Sequence, residues 1–195
     1  MKTLLTAILL IIPSFAAIAQ NQPSDYNKVE VFAGYSNGSG IFENLDGIGT
    51  VEHGFNAAAV YNFHRYFGVK ADISGTYKRI QAVPFFRTDH TLYNVTAGIQ
   101  IKNNKHSGRF KPFAHVMAGF ARHSDSTNFQ CPVGQTCPPV DFDFDGFAMV
   151  VGGGLDIKVN RRIDIRAVQL DVNPITNGDS TYLNARFSTG VVFKF

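Results

Sequence analysis

Phe67-Gly68-Val69-Lys70-Ala71-Asp72-Ile73-Ser74-Gly75-Thr76-Tyr77-Lys78 alternates in character for twelve residues without a slip. Phe67, Val69, Ala71, Ile73 and Tyr77 fall on one side, and Gly68, Lys70, Asp72, Ser74, Thr76 and Lys78 on the other. A period of two is the mark of a β-strand, because successive side chains of a strand point to opposite faces. The end of the chain repeats the pattern. Leu183, Ala185, Phe187, Val191, Phe193 and Phe195 alternate with Asn184, Arg186, Ser188, Gly190 and Lys194.

Extending this reading outward predicts strands near residues 28–36, 54–63, 67–78, 90–102, 110–122, 146–159, 163–172 and 182–195. Most exceed the usual globular strand of about 5–6 residues and suit a tilted membrane-crossing strand of about 9–11. The links between them alternate in length. Residues 37–53, 79–89, 123–145 and 173–181 are long and polar, whereas His64-Arg65-Tyr66, 103–109 and Asn160-Arg161-Arg162 are short. That rhythm fits an all-β fold, an eight-stranded antiparallel up-and-down transmembrane β-barrel with one rim outside and the other in the periplasm. An even strand number puts both termini at the short-turn rim.

Composition agrees. The 195 residues suit one domain. Charged residues make up only 17%, and the eighteen Gly and eighteen Phe, with no Trp, favour strands and turns. Residues 1–19 read as a signal peptide, with Lys2, an apolar run from Leu4 to Ile12, and Ala17-Ile18-Ala19 as the cleavage site. That run is shorter than the roughly 20 residues of a spanning helix. Residues 20–27 form a short N-terminal segment, and 28–195 the barrel domain. Without the leader the acids and bases nearly balance, which argues against a nucleic-acid partner. The only cysteines, Cys131 and Cys137, stand six apart within one long link. Export to an oxidising compartment favours a disulfide between them. A metal site there would need further Cys or His at ligand spacing, which the neighbouring sequence lacks.

Two kinds of barrel share such alternation. A soluble lipocalin-like barrel that binds small apolar ligands turns its apolar face inward, and a membrane barrel turns it outward. Charged side chains share one face with small residues: Glu30, Lys70, Asp72, Lys102, Asp156, Lys158, Asp164, Arg166 and Arg186 lie on the side that carries Gly68, Gly98, Gly119, Gly152, Gly154 and Gly190. Small residues beside long charged ones suit a narrow, crowded interior, and no helix closes a calyx. In a membrane, a Lys or Arg facing the bilayer midplane costs about 2–4 kcal/mol, so the charges must point in. Glu30, Asp72, Asp156, Arg166 and Arg186 are expected to be central to an internal charge network. An eight-stranded barrel has room inside for side chains and none for an open pore. Tyr35, Phe63, Tyr66, Phe67, Tyr77, Phe120, Phe147, Phe193 and Phe195 are expected at the membrane interfaces. One strand breaks the phase: Gln169 and Asp171 move to the parity of its apolar residues. Either a β-bulge near Ala167 to Gln169 restores the phase, or Asp171 sits above the bilayer.

The last ten residues, Arg186 to Phe195, resemble the assembly signal of outer-membrane proteins, with Gly190, Val191, Phe193 and the terminal Phe195 at its key positions. Val29-Glu30-Val31-Phe32-Ala33-Gly34-Tyr35, Tyr61 to Gly68, Pro112-Phe113-Ala114-His115, Gly152 to Asp156, Arg166 and Asp171 resemble the OmpA-like outer membrane β-barrel domain family, in its stand-alone form without a peptidoglycan-binding domain. The resemblance covers nearly all of 28–195. It implies a monomer in the bacterial cell outer membrane, recognised by the barrel-assembly machinery, in contact with membrane lipids, and without cofactor or enzymatic activity. Cell-wall anchoring does not carry over.

Three other chemistries deserve a test. Asp141-Phe142-Asp143-Phe144-Asp145-Gly146 opens like a calcium loop, yet Gly152 stands where the pattern requires Glu. A lipid-modifying enzyme would need His115 and a loop serine to converge, and no G-x-S-x-G elbow supports one. Gly152-Gly153-Gly154 precedes no helix, so close packing explains it better than phosphate binding. Residues 37–53 and 123–145 are the candidate contacts for an extracellular partner.

Overall fold

The computed structural model describes residues 26–40, 52–83, 86–105, 108–129, 140–178 and 180–195. The expected leader at 1–19, and Cys131 and Cys137, lie outside the described residues.

Eight strands follow one another: β1 (Val29–Gly40), β2 (Glu52–Asn62), β3 (Phe67–Val83), β4 (Phe86–Lys102), β5 (Phe110–Phe129), β6 (Val140–Lys158), β7 (Ile163–Asn177) and β8 (Ser180–Lys194). Each pairs antiparallel with the next, and β1 pairs with β8 to close the barrel. Phe195 takes part in the closure. Its N–H donates to the Val29 carbonyl at 2.8 Å, and the Val29 N–H donates back at 3.2 Å.

The registers fix the shape. From Val29 the pairing leads through Tyr61, Val69, Ile99, Val116, Val151, Val172 and Ala185, and returns to β1 at Ser39, ten residues further along. With strands spaced about 4.8 Å and a rise of about 3.3 Å per residue, this stagger tilts them by about 40°. Tyr61, Val69, Ile99, Val116, Val151 and Val172 on that circuit are all exposed. The outer wall therefore carries an apolar belt, edged on the outer side by Tyr35, Phe55, Tyr77, Tyr93, Phe120 and Phe147 and on the terminal side by Phe63, Phe67, Phe110, Phe193 and Phe195. Tyr66 is half-buried beneath the Arg65 guanidinium, 4.6 Å from its ring. Phe67 and Tyr77 are ten residues apart, about 33 Å along the strand and about 25 Å across the membrane at this tilt, which matches the apolar band of such barrels. The alternate residues face a buried, polar lumen. A soluble ligand-binding barrel has the opposite polarity.

The phase break in β7 is a bulge. Asp156 pairs with Arg166 and Leu155 with Val168, while on the other side Gly190 pairs with Arg166 and Ser188 with Gln169. The extra residue at Ala167–Val168 turns Gln169, Asp171, Asn173 and Ile175 inward after Asp164 and Arg166. Asp171 is accordingly a lumen residue. Its position above the bilayer, the other sequence alternative, is ruled out.

The long links need correction. β3 continues to Val83 and β4 starts at Phe86, so most of 79–89 is a hairpin of paired strands. Strand pairing likewise takes up much of 123–145, and within 173–181 it runs up to the Asn177–Ser180 pair. Gly178 stands there at φ +58°, a conformation that L side chains resist. Beyond the membrane neither face must be apolar, so these stretches lose their alternation and read as loops. Polar pairs across the strands replace the missing signal. On the outer wall Asp89 accepts from Tyr77 Oη and Arg79 Nε at 2.8 Å and from Arg87 Nη2 at 2.9 Å. Thr176 and Thr181 meet at 3.2 Å. The ladder between β6 and β7 skips Asn173 and Pro174, where proline has no N–H to give.

Ala97 is exposed on β4 between Tyr93 and Ile101; Ala97→Arg will lower folding stability in lipid vesicles by about 2–4 kcal/mol, while Arg at Thr91, near the interface, will cost about 0–1. The Arg79 hydrogen bond, with smaller help from Tyr77 and Arg87, holds the Asp89 carboxyl down at about 2. Its stabilising contribution is therefore complete above the ordinary carboxylate range and fades as pH falls from about 4 towards 2. A carboxyl carbon NMR titration will place its midpoint well below that of a free aspartate.

Candidate functional site

Among the described residues, six cationic side chains (Lys70, Lys102, Lys111, Arg166, Arg186 and Lys194) and five acidic ones (Glu30, Asp72, Asp156, Asp164 and Asp171) are buried in the lumen together with His115. Such near-balance allows neutralisation inside the wall, and the contacts carry it out. At the terminal end, Asp164 binds Lys194 and lies 3.4 Å from Lys111. One step further in, Lys102 Nζ donates to Glu30 Oε2 and Asp156 Oδ2, both at 2.7 Å. Asn62 Nδ2 reaches the other Glu30 oxygen at 3.4 Å.

Arg166 holds the middle. Its Nε and Nη2 donate to the two Asp156 oxygens at 2.8 and 3.1 Å, a bidentate geometry that favours arginine over lysine. The rings of Phe32 and Phe113 lie 4.3 and 4.2 Å from its guanidinium carbon. In this desolvated setting each such cation–π contact adds to the hold on the cation. Gly154 makes room for the arrangement: a Cβ there would lie 2.8 Å from the Phe113 ring and 2.1 Å from the Val168 carbonyl oxygen. A Cβ at Gly152 would lie 2.2 Å from Asp171 Oδ1. The glycine run is a packing device.

Gln169 joins the middle to the outer half, accepting from Arg166 Nη1 at 2.6 Å and donating to Asp171 Oδ2 at 2.7 Å. Arg186 then bridges the carboxylates of Asp171 (2.7 Å) and Asp72 (3.1 Å) and donates to the Ser74 hydroxyl. Lys70 lies 3.5 Å from Asp72, and Asn56 Nδ2 donates to Asp72 at 2.8 Å. His115 Nε2 is 2.9 Å from Asp171, and its other nitrogen is 3.5 Å from Lys70. Above this layer Leu92, Ala121, Ala148 and Ile175 pack together, with Phe144 against them, as an apolar cap inside the outer mouth.

Of the five charges singled out in the sequence, Asp156 contacts Arg166 and Asp72 contacts Arg186 directly, while Glu30 reaches Asp156 through Lys102. Sequence reasoning missed Phe32 and Phe113 as partners of Arg166. Their signal was available, since each shares its strand's parity with a charged residue, Glu30 and His115 respectively. Asp171, His115 and Gln169 were hidden by the bulge or left without a partner. His115 faces charged groups deep in the lumen, and no serine is among its described contacts. Asp141, Asp143 and Asp145 line one outer edge of β6, where Ser126, Ser124 and Arg122 engage them. Alternate residues of a strand stand about 6.6 Å apart, too far for these three carboxylates to close on one ion. Gly190, Val191, Phe193 and Phe195 all lie on β8 or at its end, next to β1.

Comparisons with known proteins agree with this architecture. No curated protein matches the sequence. Among solved structures, the chain superimposes on Neisserial surface protein A with a TM-score of 0.59 and 18% identity, covering 88% of this chain and 98% of that one. The attachment invasion locus protein Ail of Yersinia pestis matches with a TM-score of 0.58 and 16% identity, over 87% of this chain and 99% of that one. At such identities the likeness is one of fold. Residues 4–195 match the profile described as outer membrane protein beta-barrel domain. The chain belongs to that family and is a bacterial outer-membrane β-barrel.

Proposed function

We propose that this barrel has a structural and surface-display role, with a lumen closed to ions and no catalytic activity. A chain of contacts from Glu30 through Lys102, Asp156, Arg166, Gln169, Asp171 and Arg186 to Asp72 crosses the interior and supports this reading. A conducting path would need mobile water and free charge there, and these groups are engaged with one another. The signal peptide at 1–19 delivers the chain to the envelope. The segment ending in Gly190, Val191, Phe193 and Phe195 addresses it to the barrel-assembly machinery, and the product is a monomer that presents 37–53 and 123–145 to the outside. A disulfide between Cys131 and Cys137 staples the second of these.

In planar bilayers the purified barrel is expected to give no stepwise conductance; sustained unitary steps would contradict the closed lumen. Arg186→Ala leaves two buried carboxylates short of their partner and is expected to cost about 3–5 kcal/mol, read as a lower temperature for conversion of the compact gel band. An epitope inserted between Leu45 and Asp46 will be reached by antibody on intact cells if that segment is displayed, and only after permeabilisation if it is not.

A further inference from the structure

Among the described residues outside the lumen network, one group of side chains is built like a coordination site. His90 stands on β4, three residues beyond Tyr93, and His123 and Asp125 stand on β5, three and five residues beyond Phe120. All three are therefore outside the apolar belt. The register sets His90 opposite Asp125 and Leu92 opposite His123. By strand parity the three side chains turn to the inner side of the barrel mouth, above the cap formed by Leu92, Ala121, Ala148 and Ile175. Asp125 Oδ1 is the focus: His90 Nδ1 lies 2.5 Å from it and His123 Nε2 lies 2.7 Å from it. One atom from each of the three residues falls within a sphere where all are less than 4.8 Å apart.

We propose that His90, His123 and Asp125 bind a borderline divalent transition-metal ion, with Zn²⁺ the best match, at the outer mouth of the barrel. Two neutral imidazoles and one carboxylate are a donor set for zinc and its neighbours, and a poor one for the all-oxygen preference of Ca²⁺ or Mg²⁺. Bonds of about 2.0 Å in a tetrahedral site place ligand atoms about 3.3 Å apart, so the contacts to Asp125 need open by less than an ångström. The side chains are about a quarter exposed, which permits that adjustment and leaves the fourth position to water. Orientation is partly set in advance. The His123 ring stacks on Phe144 at 4.9 Å, and Phe144 stacks on Tyr182 at 5.5 Å, tying the ligand to β6 and β8. Because the ligands come from two paired strands, a bound ion also clamps the β4–β5 hairpin beyond the membrane.

The test uses untagged, refolded full-length barrel in detergent. Competition with a chromophoric zinc chelator is expected to show about one equivalent of tightly held Zn²⁺, and Co²⁺ is expected to give the intense visible bands of a tetrahedral N/O site. His90→Gln, His123→Gln and Asp125→Asn, each checked for folding by the heat-shifted gel band, are expected to bind at least tenfold more weakly. His64→Gln, at the opposite rim, is expected to bind like the parent protein, and Ca²⁺ is expected not to compete. The proposal is overturned if the parent protein takes up no Zn²⁺, if His123→Gln binds as tightly as the parent, or if His64→Gln weakens binding as much as the mouth variants do.

Discussion

The neutralisation of buried charge is the constraint on which the rest of this barrel depends. A wall that is apolar outside must place its polar residues inside, and a ring of eight strands leaves no space for bulk water around them. Each charge has to find its counter-charge within the lumen, on a neighbouring strand or a distant one. Asp156 does so with Lys102 and Arg166, and Asp171 and Asp72 do so through Arg186. Other features of the interior can be understood as support for those pairs. Gly152 and Gly154 leave room for Asp171 and Phe113, Phe32 and Phe113 enclose the Arg166 guanidinium, and the β7 bulge redirects Gln169 and Asp171 to join two halves of one network. A bulge usually weakens a ladder locally. Here it brings Gln169 and Asp171 into the charge network, and Thr189 Oγ1 donates to the Arg166 carbonyl at 2.9 Å.

The membrane-crossing part was legible in the sequence because the bilayer imposes a strict rule on every second residue. Phe67 to Tyr77 and Leu183 to Phe195 show it plainly, and the wall they predict is the wall observed. Legibility fell where the rule ceases to apply. Above the belt, Arg79, Arg87 and Asp89 hold an outer-face pairing with no apolar signal, so strand continuation there looked like loop. The turn at Asn177–Ser180 was masked in the same way by Pro174, Asn177 and Gly178, residues that ordinarily punctuate chains.

The lumen was legible in kind and not in detail. Parity placed Glu30, Asp72, Asp156, Arg166 and Arg186 on one face, yet partners across a barrel depend on stagger, which no single strand reveals. Lys102 and Glu30 are distant in the chain and meet only because the ten-residue shear brings the start of β1 to the level of the end of β4. The same holds for the mouth, where His90 becomes a neighbour of Asp125 through the β4–β5 register alone.

The central claim is that opposite charges inside the wall are energetically coupled. A double-mutant cycle on Asp156→Asn and Arg166→Met, with folding free energies measured in lipid vesicles, tests it most directly. Each single variant is expected to be clearly destabilised, and the double variant less so than the two losses combined, with a coupling of about 1–3 kcal/mol. Losses that add to within about 0.5 kcal/mol would contradict the account and leave the lumen charges as independent, separately solvated groups.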